Sequence, residues 1–318
     1  MTLVFILIGM QIKGIYAGKP ALFQLIVLLL FILAGSVISS FISLGLFYAF
    51  YGASVNLNES PNMMRIVQFL SAIGTFLFPA VGIAYTCSHN PAEYLSIQKI
   101  PKGNILLLTF VCVFLLSPTI SLTGLLNKQM VLPDFLAPVE QWMIDQEALA
   151  EKLTLTLISD NRLPIVLFNL LVIAVTAGIT EEFLFRGALQ RIIEGWTKNH
   201  HIVIWSAAFL FSAFHLQFFG FLPRMLLGAY FGYLLYWSRN IWIPVFAHFV
   251  NNAFAVIGMS DEKLRSNEFV TGDISSQHLL PYSIAAVITL ILLYFCTKKI
   301  KEELASSASP TKQLTVDK

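Results

Sequence analysis

Residues 164–186 read PIVLFNLLVIAVTAGITEEFLFR, and this stretch decides the fold class. Its first 17 residues, up to Thr180, carry no charge, and about 20 mostly apolar residues cross a bilayer core roughly 30 Å thick. Glu181 and Glu182 follow in the same helix, although a charged side chain at the bilayer centre costs about 2.5–3.5 kcal/mol. The stretch therefore predicts a transmembrane helix whose charged groups face a protein cavity.

The overall composition extends this prediction to the whole chain. The 318 residues are 57% hydrophobic and 12% charged, against roughly 45–50% and about 25% in soluble domains. The formal charge is only +2, with 20 Lys and Arg against 18 Asp and Glu, so no polyanionic partner is indicated. These values exclude an ordinary soluble enzyme, a disordered chain and a nucleic-acid-binding protein.

Eight segments are long and apolar enough to span a membrane. They are residues 25–50, 63–86, 104–126, 164–190, 202–219, 221–238, 241–258 and 280–297. We therefore predict an all-α, polytopic membrane protein of about eight transmembrane helices, surrounded by membrane lipid, with the active site in a cavity within the helical bundle.

The distribution of basic residues predicts the orientation of these helices. With both termini cytoplasmic, 13 Lys and Arg lie inside and 7 lie outside, as the positive-inside rule expects. The first apolar region, residues 21–55, is long for one helix and short for two, and only one helix preserves this asymmetry. We expect a multi-pass protein of the inner or plasma membrane.

The chain divides into three predicted parts. Residues 1–160 form N-terminal membrane helices and an outer amphipathic helix, and the apolar segment Leu3–Met10 is expected in the membrane interface. Residues 161–258 form the core that carries the motifs. Residues 259–318 form a polar loop, the last transmembrane helix and a basic, disordered tail.

The amphipathic helix is predicted within the loop at residues 127–163. Trp142, Leu149, Leu153 and Leu157 recur there at helical spacing, with most acidic residues outside this stripe. Such a helix is expected at the outer membrane surface.

The two carboxylates of the fourth segment have different partners. Glu182 and Arg186 stand at positions i and i+4 with the acid first, which favours an ion pair and gives Glu182 a structural role. Glu181 points about 100° away around the helix and has no partner in it. An unpaired, partly desolvated carboxylate suits a general base, so Glu181 is the candidate catalytic acid or base.

Two further segments contribute imidazole and amide groups. Phe211 and His215 lie in the fifth segment, and His248 and Asn252 lie one turn apart in the seventh, with Asn251 beside them. Imidazole can bind a water, and an amide N–H can donate to an oxyanion. With Glu181, these groups suffice to hydrolyse an amide.

Other sequence features narrow the chemistry. Gly228 and Gly232 form a small-xxx-small pair, which we interpret as helix packing. The sequence contains neither the zinc motif H-E-x-x-H nor the nucleophile motif G-x-S-x-G, and no Asp lies in a predicted span. A site built from glutamate and histidine remains.

Together these motifs resemble the CPBP family of intramembrane proteases, which includes type II CAAX prenyl endopeptidases and bacterial relatives linked to bacteriocin processing or immunity. The matching residues are Glu181, Glu182, Arg186, Phe211, His215, His248 and Asn252. The resemblance implies a cavity open toward the cytosol and the lipid, and a peptide or lipid-modified protein as substrate. It further implies that Glu181 and His215 activate a water while His248 and Asn252 stabilise the oxyanion.

The residues leave two questions open. Glu181, His215 and His248 could ligate Zn²⁺ and leave one position for water, but a metal-free glutamate base would use the same side chains. A proton-coupled transporter or a non-catalytic scaffold or immunity protein could also use buried Glu and His.

Overall fold

The computed structural model describes residues 12–52, 60–158, 160–272 and 274–308. All regular secondary structure within these ranges is helical, which confirms the predicted fold class. The apolar segment Leu3–Met10 lies outside the described residues, as does the last part of the predicted tail.

Nine helices carry the architecture of the described ranges. They are α1 (Ala21–Tyr51), α2 (Pro61–Cys87), α3 (Gly103–Lys128), α4 (Ala137–Ile158), α5 (Leu163–Ile193), α6 (His200–Phe214), α7 (Phe221–Ser238), α8 (Trp242–Ser260) and α9 (Leu279–Ala308). By length and composition, seven of them could cross a membrane, namely all except α4 and α6.

The first apolar region forms a single helix, as the charge distribution predicted. α1 runs for 31 residues without a charged side chain and ends where Gly52 adopts a φ of 69°. α1 crosses α2 where Gly35 meets Gly74, because a Cβ on Gly35 would come within 1.9 Å of the Gly74 carbonyl oxygen. The pair of glycines thus permits a close helix contact of the kind common in membranes.

Two segment predictions need correction. The fifth predicted span, 202–219, is a 15-residue helix that stops at Phe214, because Leu216 takes a φ of 54° and a short turn at Phe218–Gly220 follows. The last helix continues to Ala308, so the residues directly after Lys298 are helical rather than part of a disordered tail.

Hydrogen bonds define the two ends of the bundle. At the first end, the N-terminal segment donates from Gly14 N to the Tyr85 carbonyl (2.9 Å), and Asn104 of α3 donates to Glu303 of α9 (2.8 Å). At the second end, Asn127 donates to the Phe218 carbonyl (2.8 Å). The short helix α6 also runs between the two ends, since His200 stacks on Tyr236 near the C-terminus of α7 and Ser212 donates to the Phe221 carbonyl at its N-terminus. Both described termini therefore lie at the first end.

Helix α4 lies at the second end and is fixed at its C-terminus. Its last carbonyls lack intrahelical donors. Arg65 of α2 and Asn169 of α5 both donate to the Leu157 carbonyl, and Arg265 donates to the Ile158 carbonyl. Of the predicted apolar stripe, Leu157 is buried, whereas Trp142 and Leu149 remain exposed.

Candidate active site

Glu182 is the hub of the buried polar groups. Its side chain is fully buried, and its Oε1 accepts from Arg186 Nη1 at 2.7 Å and from His248 Nδ1 at 2.8 Å. The structure thus contains the ion pair expected from the sequence, and it adds a histidine from another helix. Glu182 therefore links α5 to α8 and orients the His248 ring.

Arg186 is held by three neighbours. Its Nη1 binds Glu182, its Nη2 donates to the Gly228 carbonyl of α7 at 2.9 Å, and its guanidinium lies 4.3 Å from the centre of the Phe211 ring. A Cβ on Gly228 would stand only 2.9 Å from Arg186 Nη2. Gly228 therefore serves this buried arginine as well as the packing of α6 on α7.

Glu181 faces two imidazole rings. Its Oε2 lies 3.7 Å from His215 Nε2 and 3.9 Å from His248 Nε2. The three side chains come from α5, the end of α6 and α8. The structure therefore brings the predicted general base and both predicted histidines to one point.

The tautomers of both rings follow from their other partners. His215 Nδ1 lies 2.9 Å from the Phe211 carbonyl, which can only accept, so this nitrogen carries the proton. His248 Nδ1 likewise donates to the Glu182 carboxylate. In the neutral rings, each Nε2 therefore presents a lone pair toward Glu181, which allows both rings to accept from a shared water.

Asn252 is near this cluster but has structural partners of its own. Its Nδ2 donates to the Ile173 carbonyl at 2.9 Å, and its Oδ1 accepts from Asn251 Nδ2 at 3.1 Å. Ile173 belongs to a π-helical turn of α5, Leu170–Thr176, and such turns are common at functional sites. Each amide retains a second N–H that could reach a substrate.

The residue positions along straight, untilted helices do not predict that His215 and His248 lie at the same depth in the bundle. At 1.5 Å per residue, His215 lies 15 residues from the start of α6 and His248 only six from the start of α8. Both rings nevertheless contact the Phe211 ring, with centroid distances of 5.0 Å for His215 and 6.0 Å for His248. The rings therefore reach a common depth.

A cavity of about 370 Å³ contains these groups. It is lined by Glu181, His215, His248, Asn251 and Asn252 and, on the other side, by Gly220, Pro223 and Arg224. Gly220 ends the Phe218–Gly220 turn, and Pro223 and Arg224 lie in the first turn of α7, so the cavity lies toward the second end of the bundle. The termini, by contrast, lie at the first end. The expectation of cytoplasmic termini and the expectation of a cavity open to the cytosol therefore disagree, because they assign the cytosol to opposite ends of the bundle.

Arg224 is the site residue that sequence reasoning missed. Arg224 is one of the seven basic residues that the predicted orientation places outside, although it lies within the predicted span 221–238. A charged side chain inside a span was the available signal. The link between Glu182 and His248 was also missed, because contacts between helices leave no trace in a local motif.

The fit of a metal can be judged from the ligand groups. Among the described residues, no group of three or more His, Cys, Asp or Glu side chains is arranged to hold a metal ion. A role for zinc at Glu181, His215 and His248 therefore remains a prediction.

Comparisons with known proteins concern the same part of the chain. Residues 163–254 match the model of the Rce1-like family, the type II CAAX prenyl endopeptidases, which confirms the resemblance at family level. The uncharacterized protein YpbD of Bacillus subtilis (strain 168) is 28% identical over 114 residues, 35% of this chain and 53% of that protein. The chain thus spans about half the length of this curated relative. No solved structure matches the chain.

Proposed function

We propose that this membrane protein is an intramembrane endopeptidase of the CAAX type, which hydrolyses a peptide bond with a water activated by Glu181 and His215. The observation that carries the proposal is the approach of Glu181 Oε2 to two imidazole Nε2 atoms, at 3.7 and 3.9 Å, inside a cavity within the bundle. The family match over residues 163–254 supports the same class of reaction.

The water lies between Glu181 and His215 in this mechanism. Glu181 takes one proton from the water, His215 Nε2 accepts the other hydrogen bond, and the hydroxide adds to the scissile carbonyl carbon. The carbon–nitrogen bond then breaks, and Glu181 returns its proton to the leaving amine. The new carboxylic acid gives up the second proton of the water, which the amine takes, so the products are a carboxylate and an ammonium ion, and atoms and charges balance without a co-reactant.

The developing oxyanion needs donors. His248 can donate from Nε2 when its ring is protonated, and the Glu182 carboxylate at Nδ1 stabilises that imidazolium. The free N–H of Asn252 is a second donor, positioned by its bond to Ile173. Removal of one such donor typically costs about 10²–10³ in rate.

The substrate we propose is a membrane-associated or lipid-modified peptide. The cavity opens within a bundle whose helices span the hydrocarbon, so a substrate with an apolar anchor can approach from the lipid. An S-prenylated peptide is the first choice, because the matched family model is that of prenyl endopeptidases.

Purified protein and an S-farnesylated peptide provide the test. We expect Glu181→Ala and His215→Ala to abolish cleavage, and Asn252→Ala to slow it by about 10²–10³. The matched controls are Glu151→Ala on the exposed face of α4 and His278→Ala in the loop before α9, which should cleave normally.

Two results would overturn the proposal. One is unaltered turnover by Glu181→Ala or His215→Ala at equal amounts of folded protein. The other is a pH-dependent ion flux into liposomes that contain the wild-type protein, without any peptide product. That result would favour a proton-coupled transporter.

A further inference from the structure

A second cavity, of about 560 Å³, lies at the first end of the bundle, opposite the end that holds Glu181. The start of α3, the turn between α7 and α8 and the C-terminal part of α9 form its walls. Of the described residues that line it, four are basic and none is acidic: Lys99, Lys102, Arg239 and Lys301. The proposed peptidase mechanism uses none of these side chains.

The carboxylates near this cavity do not neutralise its cations. Glu194 lies 3.9 Å from Arg239, but both side chains are partly exposed, and such surface pairs contribute little. The charge of Glu303 acts on Lys102, but Glu303 is also paired with Lys299 at 3.2 Å, which adds a fifth cation. Two carboxylates thus accompany five basic groups, and the cavity keeps a positive charge that favours an anion.

Asn240 contributes a neutral donor to the same cavity. The residue is only 4% exposed, and its Oδ1 accepts from the backbone N–H of Trp242, the first residue of α8, at 3.0 Å. Its Nδ2, by contrast, has no acceptor among the described residues, and a buried donor without a partner is costly. Because Asn240 lines the cavity, an oxygen atom of a bound ligand would complete its hydrogen bonds.

The cavity also has apolar walls at the edge of the membrane-spanning helices. Ile100 is 94% exposed, although it stands between two lysines of the cluster. Trp237 forms another wall, and Lys301 Nζ lies 4.0 Å from the centre of its ring. Tryptophan is enriched at the membrane–water interface. A small free anion would use only the cations, whereas a phospholipid would use the cations and the apolar walls together.

We propose that this cavity binds the phosphate group of an anionic phospholipid in the leaflet at the first end. Basic pockets between transmembrane helices are known to bind such headgroups. The basic side chains and Asn240 Nδ2 hold the phosphate oxygens, while Trp237 and Ile100 contact the glycerol and the start of the acyl chains. The lipid therefore links α3, α7 and α9 and should stabilise this end of the bundle.

Native mass spectrometry of the full chain in detergent tests the proposal by measuring the Kd of the first bound lipid. The probes are phosphatidylglycerol and phosphatidylcholine with identical acyl chains, and inorganic phosphate. The readout is the ratio of the two lipid Kd values, which cancels the contribution of the chains and does not depend on the amount of folded protein. We expect wild type to favour phosphatidylglycerol by about 10-fold or more, since each basic side chain near the surface contributes about 5-fold.

Two variants and a matched control locate the effect. Lys102→Gln combined with Lys301→Gln should bring the ratio close to one. Asn240→Asp should do the same, because it keeps the oxygen that accepts from α8 but replaces the free donor with a negative charge. Lys13→Gln combined with Lys198→Gln is the control, since it removes equal charge from exposed positions at the same end but outside the cavity. The control should keep the wild-type ratio.

A wild-type ratio of one would overturn the inference. A preference that survives Asn240→Asp, or that falls equally in the control, would do so too, because it would indicate general attraction to a basic surface. Inorganic phosphate that displaces phosphatidylglycerol at comparable concentrations would contradict the lipid assignment and indicate a site for free phosphate.

Thermal unfolding in detergent provides a second readout if the double lysine variant does not fold. Phosphatidylglycerol should raise the Tm of wild type and of the control more than phosphatidylcholine does. It should give no such advantage in Asn240→Asp. An equal rise in Tm with both lipids in wild type would contradict the proposal.

Discussion

Removing the charge of Glu182 should affect stability and catalysis through different contacts. Glu182→Gln leaves Arg186 as a buried cation whose side chain is only 1% exposed. Loss of one partner of a buried ion pair costs about 3–5 kcal/mol of the free energy of unfolding. Arg186→Gln should cost a similar amount, because it leaves Glu182 as an uncompensated anion.

The double variant Glu182→Gln with Arg186→Gln separates the two effects. It contains no unpaired buried charge from this ion pair, so we expect it to recover part of the lost stability. It should not recover activity, because His248 Nδ1 would still lack the carboxylate that orients its ring at 2.8 Å. Loss of such an orienting partner typically lowers activity by about 10- to 100-fold.

Thermal unfolding in detergent measures the stability of the four proteins, and cleavage of the farnesylated peptide per folded molecule measures their activity. Glu182→Gln at wild-type stability would refute the argument about the buried charge. A double variant with wild-type activity would refute the proposed positioning of His248 by Glu182.

Three further outcomes are expected. Gly228→Ala should lower the free energy of unfolding by about 1–3 kcal/mol, because the new Cβ would press on Arg186 and Phe211. Gly45→Ala is the control, since a Cβ on Gly45 would meet nothing within 4 Å. Equal thermal stability of the two variants would contradict the reasoning. Cleavage should persist after treatment with EDTA, because the proposed mechanism activates the water through Glu181 and His215 without a metal. Activity lost to EDTA and restored by Zn²⁺ would contradict this metal-free mechanism. Protease should digest tags on the two termini from the same face of sealed vesicles. The distribution of basic residues predicts that this is the cytoplasmic face. Tags on opposite faces would contradict the helix order.

Much of the architecture follows from the sequence because the bilayer imposes strong local rules. Uncharged runs such as that of α1 identify the helices, and the distribution of basic residues favoured one helix in the first apolar region, as the structure has it. The rules fail where tertiary geometry intervenes: α6 stops at Phe214 because Leu216 adopts a left-handed conformation, which hydropathy does not reveal.

The sequence predicted most residues of the candidate site, but it did not predict the contacts between them. Glu181, His215 and His248 were identified because lipid would reject them, and the structure brings them together. The bond from His248 to Glu182 and the position of Arg224 in the cavity depend on how α5, α7 and α8 pack. Spacing within one helix carries no information about such contacts.

The cleavage rate of Glu181→Gln tests the central claim most directly, because glutamine keeps the shape of the side chain and removes its ability to take a proton. With peptide bound to an equal amount of folded protein, we expect the rate to fall by at least about 10²–10⁴, the typical contribution of a general base. Cleavage by Glu181→Gln at the wild-type rate would contradict the account.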